Sequence, residues 1–180
     1  QQLLEEMEAL ALDIEDAEAL LDEPAYAPPL LDVFFSDDKR GVAVGAFNTL
    51  LLTTDGGVSW QQSSALLDNP DGFHLNGVSG DGNGKLWIVG EGGTVFRSMD
   101  YGASWLAVES PYAGSWFGVD YNTSIDRLLV FGLRGNVFYS DDEGDSWQHS
   151  VVPDDRSLAG GRFIDKDDAM LVGSVGTVLV

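Results

Sequence analysis

Short apolar runs separated by turn-forming residues dominate the chain from residue 30 onward. Examples are LLDVFF (30–35), GVAVGAF (41–47), KLWIVG (85–90), TVFRS (94–98), RLLVFG (127–132) and NVFYS (136–140). Clusters of Gly, Asp and Asn separate the runs. Most of the 22 glycines lie at the ends of runs, where tight turns require a positive φ. This pattern predicts an all-β structure of short strands joined by tight turns.

Residues 1–23 follow a different pattern. They contain nine acidic residues and no Lys, Arg, Gly or Pro. Their apolar positions recur every three or four residues, which predicts an amphipathic helix with one apolar face: Leu3, Met7, Leu10, Ile14, Ala17 and Leu21. A helix this short needs a surface for that face, and we expect it to pack on its own domain or on a different partner. Three prolines, Pro24, Pro28 and Pro29, predict a linker over residues 24–29.

An internal repeat organises the rest of the chain. Gly45, Gly90, Gly132 and Gly173 each end an apolar run, at spacings of 45, 42 and 41 residues. Three residues after each glycine stands Asn48, Gly93, Gly135 or Gly176. Eight residues after the first three glycines begins an octapeptide with the consensus [ST]-x-D-x-G-x-S-W, which we call the box. Three boxes in register at one period identify a repeat architecture.

The conserved chemistry of the box suits a turn between two strands. The Asp carboxylate can accept hydrogen bonds from backbone N–H groups across the turn, and the Gly permits a left-handed backbone. We expect the hydroxyls to bridge the strands and the Trp to bury its ring. The fifteen residues concerned are Thr53, Asp55, Gly57, Ser59 and Trp60 in the first box, Ser98, Asp100, Gly102, Ser104 and Trp105 in the second, and Ser140, Asp142, Gly144, Ser146 and Trp147 in the third. Because the same set occurs three times, we interpret it as structural and not as metal-binding or catalytic.

Each repeat holds four predicted strands. In the second repeat they span about 74–79, 85–90, 94–98 and 104–108, and turns at 37–40, 81–84 and 165–168 join a first strand to a second. Four antiparallel strands per 40–50 residues predict a β-propeller with blades at about 30–66, 73–110 and 115–152, and an incomplete fourth blade at 157–180. An open arc of this kind would expose an apolar face. Two interpretations follow from this: self-association of two chains closes the ring, or the chain is part of a longer protein.

The composition of the chain argues against several classes of function. The formal charge is −21 with a pI near 4.1, which argues against binding a nucleic-acid backbone. The absence of cysteine excludes disulfides, thiolate zinc sites and cysteine nucleophiles. His74 and His149 stand at different positions of their repeats, and we expect neither a metal site nor a cofactor. Four further aromatic residues, Trp87, Trp116, Phe73 and Phe117, are predicted to pack in the core.

The boxes and their surroundings resemble the Asp-box (bacterial neuraminidase, BNR-like) repeat, and most of all the photosystem II stability/assembly factor family with its relatives in non-photosynthetic bacteria. The resemblance rests on the lead [VIL]-x-G-x-x-G-x-[VLF] into each box and on the blocks 32–60 and 86–105. It implies a seven-bladed, non-enzymatic propeller, periplasmic or otherwise exported (lumenal in photosynthetic relatives), that binds a membrane-protein subunit during assembly. The arginines of this chain are scattered along the sequence, so the chain has no obvious basic patch. This departs from a family member that binds its client through a concentrated basic site.

Two functions are compatible with these observations. A binding scaffold is favoured because no nucleophile, paired carboxylates or phosphate loop is evident. The alternative is a glycoside hydrolase of sialidase or xyloglucanase type, since such enzymes also carry the box. A sialidase needs an arginine cluster and a Tyr–Glu pair. Tyr112, Tyr121, Glu91 and Glu109 are present, but no signature arranges them.

Overall fold

The computed structural model describes residues 27–153 and 155–180. Within them, fifteen strands form four antiparallel sheets, three with four strands and one with three. This confirms the predicted all-β class and the three complete blades followed by a partial one. The helix predicted at 1–23 and the first residues of the predicted linker lie outside the described residues. None of the helical turns in the described parts has the length or apolar character needed to cross a bilayer.

The strands of each sheet are consecutive in the chain. The first sheet contains β1 (Leu30–Phe35), β2 (Gly41–Gly45), β3 (Thr49–Thr53) and β4 (Gln61–Gln62), and the second contains β5 (Leu75–Gly80), β6 (Leu86–Gly90), β7 (Val95–Ser98) and β8 (Leu106–Ala107). The third contains β9 (Trp116–Asn122), β10 (Arg127–Gly132), β11 (Val137–Ser140) and β12 (Gln148–His149), and the fourth contains β13 (Leu158–Phe163), β14 (Ala169–Gly173) and β15 (Val178–Leu179). The fourth strand of each complete sheet has only two residues, so the strand predicted at 104–108 is shorter than expected.

The four first strands contact one another in sequence, β1 with β5, β5 with β9 and β9 with β13, and so form the inner edge of the arc. A side chain of one first strand accepts a hydrogen bond from a backbone N–H of the next. Asp32 Oδ2 accepts from Val78 N at 2.9 Å. Asp120 Oδ2 accepts from Phe163 N at 2.7 Å, while burial raises the pKa of Asp120. These bonds set the register between neighbouring sheets.

The cores lie between neighbouring sheets, so the second and third sheets are covered on both faces, as the burial of β6 and β10 shows. Three apolar clusters fill the three junctions between consecutive sheets. Trp87 and Trp116 are fully buried, as the sequence predicted, whereas Phe73 and Phe117 are only partly buried.

The three box tryptophans differ in burial, which corrects the expectation that all bury their rings. Trp105 is 9% exposed and lies in the first junction. Trp147 is half-buried at the edge of the second junction, and Trp60 is 37% exposed. The physical reason is position: Trp105 packs against the preceding sheet, and Trp60 has no preceding sheet within the described residues. It contacts Phe35 of its own sheet instead, edge to face at 5.9 Å.

Candidate functional site

The same hydrogen-bond network closes all three boxes, which connect the third and fourth strands of each complete sheet. In the first box, the Thr53 hydroxyl donates to Asp55 Oδ1 at 2.8 Å. Ser59 donates to the same carboxylate from its backbone N–H at 2.9 Å and from its hydroxyl at 2.6 Å. Asp100 and Asp142 accept the corresponding bonds in the other two boxes. The hydroxyls therefore meet on the aspartate and do not bridge the strands directly.

Two consecutive left-handed residues bring each box back toward the sheet. The box glycine has a φ of 86° at Gly57, 87° at Gly102 and 97° at Gly144. Its N–H donates to the first hydroxyl of the box at 2.8–3.0 Å. The preceding residue is Gly56, Tyr101 or Glu143, and it also has a positive φ. A Cβ is tolerated there, so this fourth box position can carry a contact residue.

These hydrogen bonds stabilise the charged form of the aspartates. The Ser59 hydroxyl, the Ser59 N–H and the Thr53 hydroxyl lower the pKa of Asp55 to about 2. The pKa values of Asp100 and Asp142 are lowered in the same way, first of all by the hydroxyls of Ser104 and Ser146. A carboxylate held ionised by its own turn is a poor proton donor, so this arrangement does not suit general acid catalysis.

Replacing Asp55 by Asn is expected to make the free energy of unfolding depend less on pH at acidic pH. The folded-state pKa of about 2 lies below the value of about 3.9 for an unfolded Asp, so the unfolded state binds the proton first as pH falls. The contribution of Asp55 is therefore complete above about pH 5 and is lost progressively as the pH falls toward 2. Urea unfolding of both proteins between pH 5 and 2 measures the difference. Ser59→Ala, which removes the largest cause, should flatten the curve in the same direction. Superimposable curves for parent and Asp55→Asn would contradict this role.

In the first and second sheets, a basic residue joins the turn between the first two strands to the box of the next sheet. The Arg40 guanidinium lies 3.5 Å from the ring centroid of Tyr101. Lys85 Nζ lies 2.7 Å from Glu143 Oε1, and this hydrogen bond raises the pKa of Lys85. Backbone bonds also link turns and boxes within a sheet, such as Gly56 N to Lys39 O at 2.9 Å. We call this end of the arc, formed by residues 36–40, 81–85, 123–126 and 164–168 and the three boxes, the box end.

The opposite end is formed by four equivalent turns between second and third strands, which we call the turn end. The turns span 46–49, 91–94, 133–136 and 174–177, and in each the last N–H donates to the first carbonyl at 3.0–3.3 Å. Both central residues have a positive φ, as in type I′ hairpin turns. A second repeated bond fixes each turn beside the start of an inner strand, for example from Leu133 N to Ser115 O at 3.0 Å. The turn end therefore borders the inner edge of the arc.

Three of these turns place a side chain where glycine is the favoured residue. Phe47, Arg134 and Val175 have φ values of 53°, 58° and 57° and are exposed, Phe47 by 58% and Val175 by 85%. A β-branched residue in this region is a genuine outlier. The sequence analysis did not select these residues. The sequence feature that could have identified them is a non-glycine residue directly before the Asn or Gly that recurs three residues after Gly45, Gly132 and Gly173.

The candidate hydrolase residues have separate partners. Glu91 accepts a hydrogen bond from His74 N at the turn end, while the Tyr121 hydroxyl donates to Asp126 at the box end. The Tyr112 ring packs against Trp116. The backbone carbonyl of Glu109 accepts from the Trp147 indole. Across residues 27–153 and 155–180, no group of three or more His, Asp or Glu side chains is placed to hold a metal ion.

Known proteins resemble this chain in sequence and in structure. The photosystem II assembly lipoprotein Ycf48 of Synechococcus sp. (strain CC9902) is 29% identical over 152 residues, covering 80% of this chain and 45% of the relative. A solved structure of YCF48 bound to D1 peptide is 27% identical with a TM-score of 0.70, over 83% of this chain and 48% of that one. The Niastella koreensis GH74 enzyme, 17% identical with a TM-score of 0.61 over 87% of this chain and 23% of the enzyme, shares the fold alone.

The chain thus spans less than half the length of the Ycf48 relative it matches. The family model described as photosynthesis system II assembly factor YCF48 matches residues 23–112, which is half of the chain and includes the first two boxes. The chain belongs to the YCF48 family of photosystem II assembly factors.

Proposed function

We propose that this protein is a non-catalytic binding scaffold that takes an extended segment of a membrane-protein subunit during assembly of a complex. The observation that carries the proposal is the similarity to YCF48 bound to D1 peptide, which extends over 83% of the chain at 27% identity. The name lipoprotein on the Synechococcus relative supports an exported location. The three boxes act as structural turns, because both carboxylate oxygens of each aspartate accept hydrogen bonds from within the turn.

The turn end is the surface that suits this segment best. The box end carries most of the acids of the described sheets, with thirteen in its turns and boxes: Asp37, Asp38, Asp55, Asp81, Asp100, Asp126, Asp141, Asp142, Glu143, Asp145, Asp165, Asp167 and Asp168. The four turns of the turn end contain one acid, Glu91, and one basic residue, Arg134. Exposed apolar and cationic side chains there give a peptide both packing surface and a charge contact.

Titration with the D1 peptide by calorimetry tests the proposal. We expect saturable binding of one peptide per chain. In a parallel panel, we expect no hydrolysis of fluorogenic glycosides. Arg134→Ala should weaken binding, whereas Arg127→Ala, at the start of β10 beside the box end, should leave it unchanged. Clear glycoside turnover, or binding that responds equally to both variants, would overturn the scaffold assignment or its placement.

Replacing Val175 by Gly is expected to raise stability while weakening the peptide complex. A left-handed backbone costs a residue with a Cβ about 1–2 kcal/mol, and Gly adopts it without that cost. The same change removes an exposed apolar side chain from the proposed surface. Thermal melting and calorimetry on one sample measure both effects.

Val58→Gly is the matched control, because Val58 is 87% exposed, lies in the first box and lacks a positive φ. It should lower stability slightly and leave peptide binding unchanged. A fall in stability for Val175→Gly would contradict the strain that the turn geometry indicates.

A further inference from the structure

Two Asn–Gly dipeptides occur in the chain, Asn76–Gly77 and Asn83–Gly84, and the fold holds them in opposite ways. This dipeptide is chemically reactive because glycine has no Cβ to shield its backbone nitrogen. That nitrogen can attack the side-chain amide carbon of the asparagine and close a succinimide ring. In a folded protein, the reaction depends on how firmly the amide, the glycine and the backbone between them are held.

The dipeptide Asn76–Gly77 is held firmly on the inner edge of the second sheet. Asn76 lies at an irregularity of β5, and its side-chain Nδ2 donates to the Trp116 carbonyl of the next sheet at 2.7 Å. Gly77 pairs with Val89 of β6, and a Cβ built on it would lie 3.1 Å from Gly118 Cα. The amide is fixed and the glycine is closely packed, so ring closure at Asn76 requires this junction to open.

The dipeptide Asn83–Gly84 lies in the turn between β5 and β6 at the box end, where Asn83 is exposed. The backbone N–H of Asn83 donates to Asp81 Oδ1 at 2.7 Å. In the part of the chain that the structure describes, its side-chain Nδ2 has one partner, the Asp81 carbonyl at 3.4 Å, and the Gly84 N–H donates no hydrogen bond. The carbon that is attacked and the nitrogen that attacks it are therefore less restrained than at Asn76.

We propose that Asn83 is a site of spontaneous modification, at which deamidation through a succinimide gives isoaspartate and aspartate. The Gly84 nitrogen loses its proton and bonds to Asn83 Cγ, the Cγ–Nδ2 bond breaks, and the amide nitrogen leaves as ammonia with that proton. Water then adds to one of the two ring carbonyls and opens the ring. Attack at one carbonyl gives aspartate, and attack at the other gives isoaspartate, whose main chain is one methylene longer.

The place of the turn gives this modification a structural consequence. The Gly84 carbonyl accepts from Tyr101 N at 3.0 Å, which ties the turn to the second box, and a Cβ on Gly84 would lie 3.2 Å from the Tyr101 ring. The next residue, Lys85, pairs with Glu143 of the third box at 2.7 Å. A methylene added to the main chain between Asn83 and Gly84 therefore disturbs the links from this turn to two boxes. The site lies at the box end and is independent of the proposed partner surface at the turn end.

Incubation of the full 180-residue chain in mildly alkaline buffer tests the proposal, with peptide fragmentation in a mass spectrometer to separate the two sites. We expect Asn83 to deamidate at least about tenfold faster than Asn76, because Asn76 must first leave its hydrogen bond and its packed strand. In urea, where the fold is lost, the two sites should react at similar rates.

Two measurements identify the product at Asn83. Enzymatic transfer of the methyl group of S-adenosylmethionine to the free α-carboxylate marks isoaspartate. A mass gain separates deamidation from isomerisation of the neighbouring Asp81–Gly82 pair, which forms the same ring without a change of mass. The variant Asn83→Ser lacks the amide and should show neither signal at this position.

Asn83→Asp is the matched control for the consequence, because it adds the negative charge without lengthening the main chain. Hydrogen exchange at Tyr101 N–H should rise severalfold in the incubated protein and stay near the parent rate in Asn83→Asp. Equal deamidation of Asn76 and Asn83 in the folded chain, or an intact Asn83 after the same time in which both react in urea, would overturn the proposed site. Unchanged exchange at Tyr101 in protein that contains isoaspartate would overturn its effect on the turn.

Discussion

Replacing Trp105 by Ala is expected to lower the free energy of unfolding by about 3–5 kcal/mol. The ring is 9% exposed and packs in the junction between the first and second sheets with Val42 and, at its edge, Leu52. Its indole N–H also donates to the Gly102 carbonyl at 3.0 Å, which ties the ring to its own box. Removing it opens a cavity and leaves this buried carbonyl without its partner. Urea unfolding followed by circular dichroism measures the loss.

Trp60→Ala is the control that separates burial from the motif itself. Trp60 occupies the same box position but is 37% exposed and contacts Phe35 at one edge. Its replacement should cost about 1 kcal/mol, as expected for partial burial and one ring contact. If the two variants lost stability equally, the effect would come from the box turn and not from the junction, and our account of inter-sheet packing would be wrong.

The same contrast explains how far the sequence could predict the structure. The period of the glycines and boxes predicted four sheets in series, because a repeat that recurs in register must place its strands and turns alike. The local chemistry of the box was also accessible, since Asp, Ser and Gly at fixed spacing have few ways to satisfy a turn. Burial of Trp60 depends instead on a neighbouring sheet, which no local pattern encodes.

The turn end was missed for a different reason. The sequence marks the second left-handed residue of each turn by Asn48 or a glycine, but the first is Phe47, Gly92, Arg134 or Val175. These four share no side-chain property, so a consensus drawn from residue types treats the position as variable. Only the backbone shows that all four have the same conformation. The exposed side chains that we propose as a partner surface therefore become visible only in the structure.

Replacing Gly132 by Ala is expected to cost about 3 kcal/mol, near the upper end for an overpacked site. A Cβ at this position would lie 2.3 Å from the Ser115 carbonyl oxygen and 2.8 Å from Trp116 Cα. Both neighbours are backbone atoms, and the same carbonyl accepts the bond from Leu133 N that places the turn. The clash can be relieved only by separating the turn from the inner strand. Chemical unfolding of the purified variant gives the size of the loss.

The equivalent glycines of the other three sheets show why a glycine recurs at this position of the repeat. A Cβ on Gly45, Gly90 or Gly173 would likewise lie 2.2–2.3 Å from the carbonyl that precedes the inner strand. Gly160→Ala is the matched control within a strand, because its Cβ would meet only the Val172 side chain at 3.3 Å, which can move. We expect that variant to lose less than about 1 kcal/mol. A similar loss of stability in both variants would contradict this account and would show that strand glycines act here through the entropy of the unfolded chain. A loss confined to Gly132→Ala would show that the recurring glycine is needed for the contact between the turn and the inner strand.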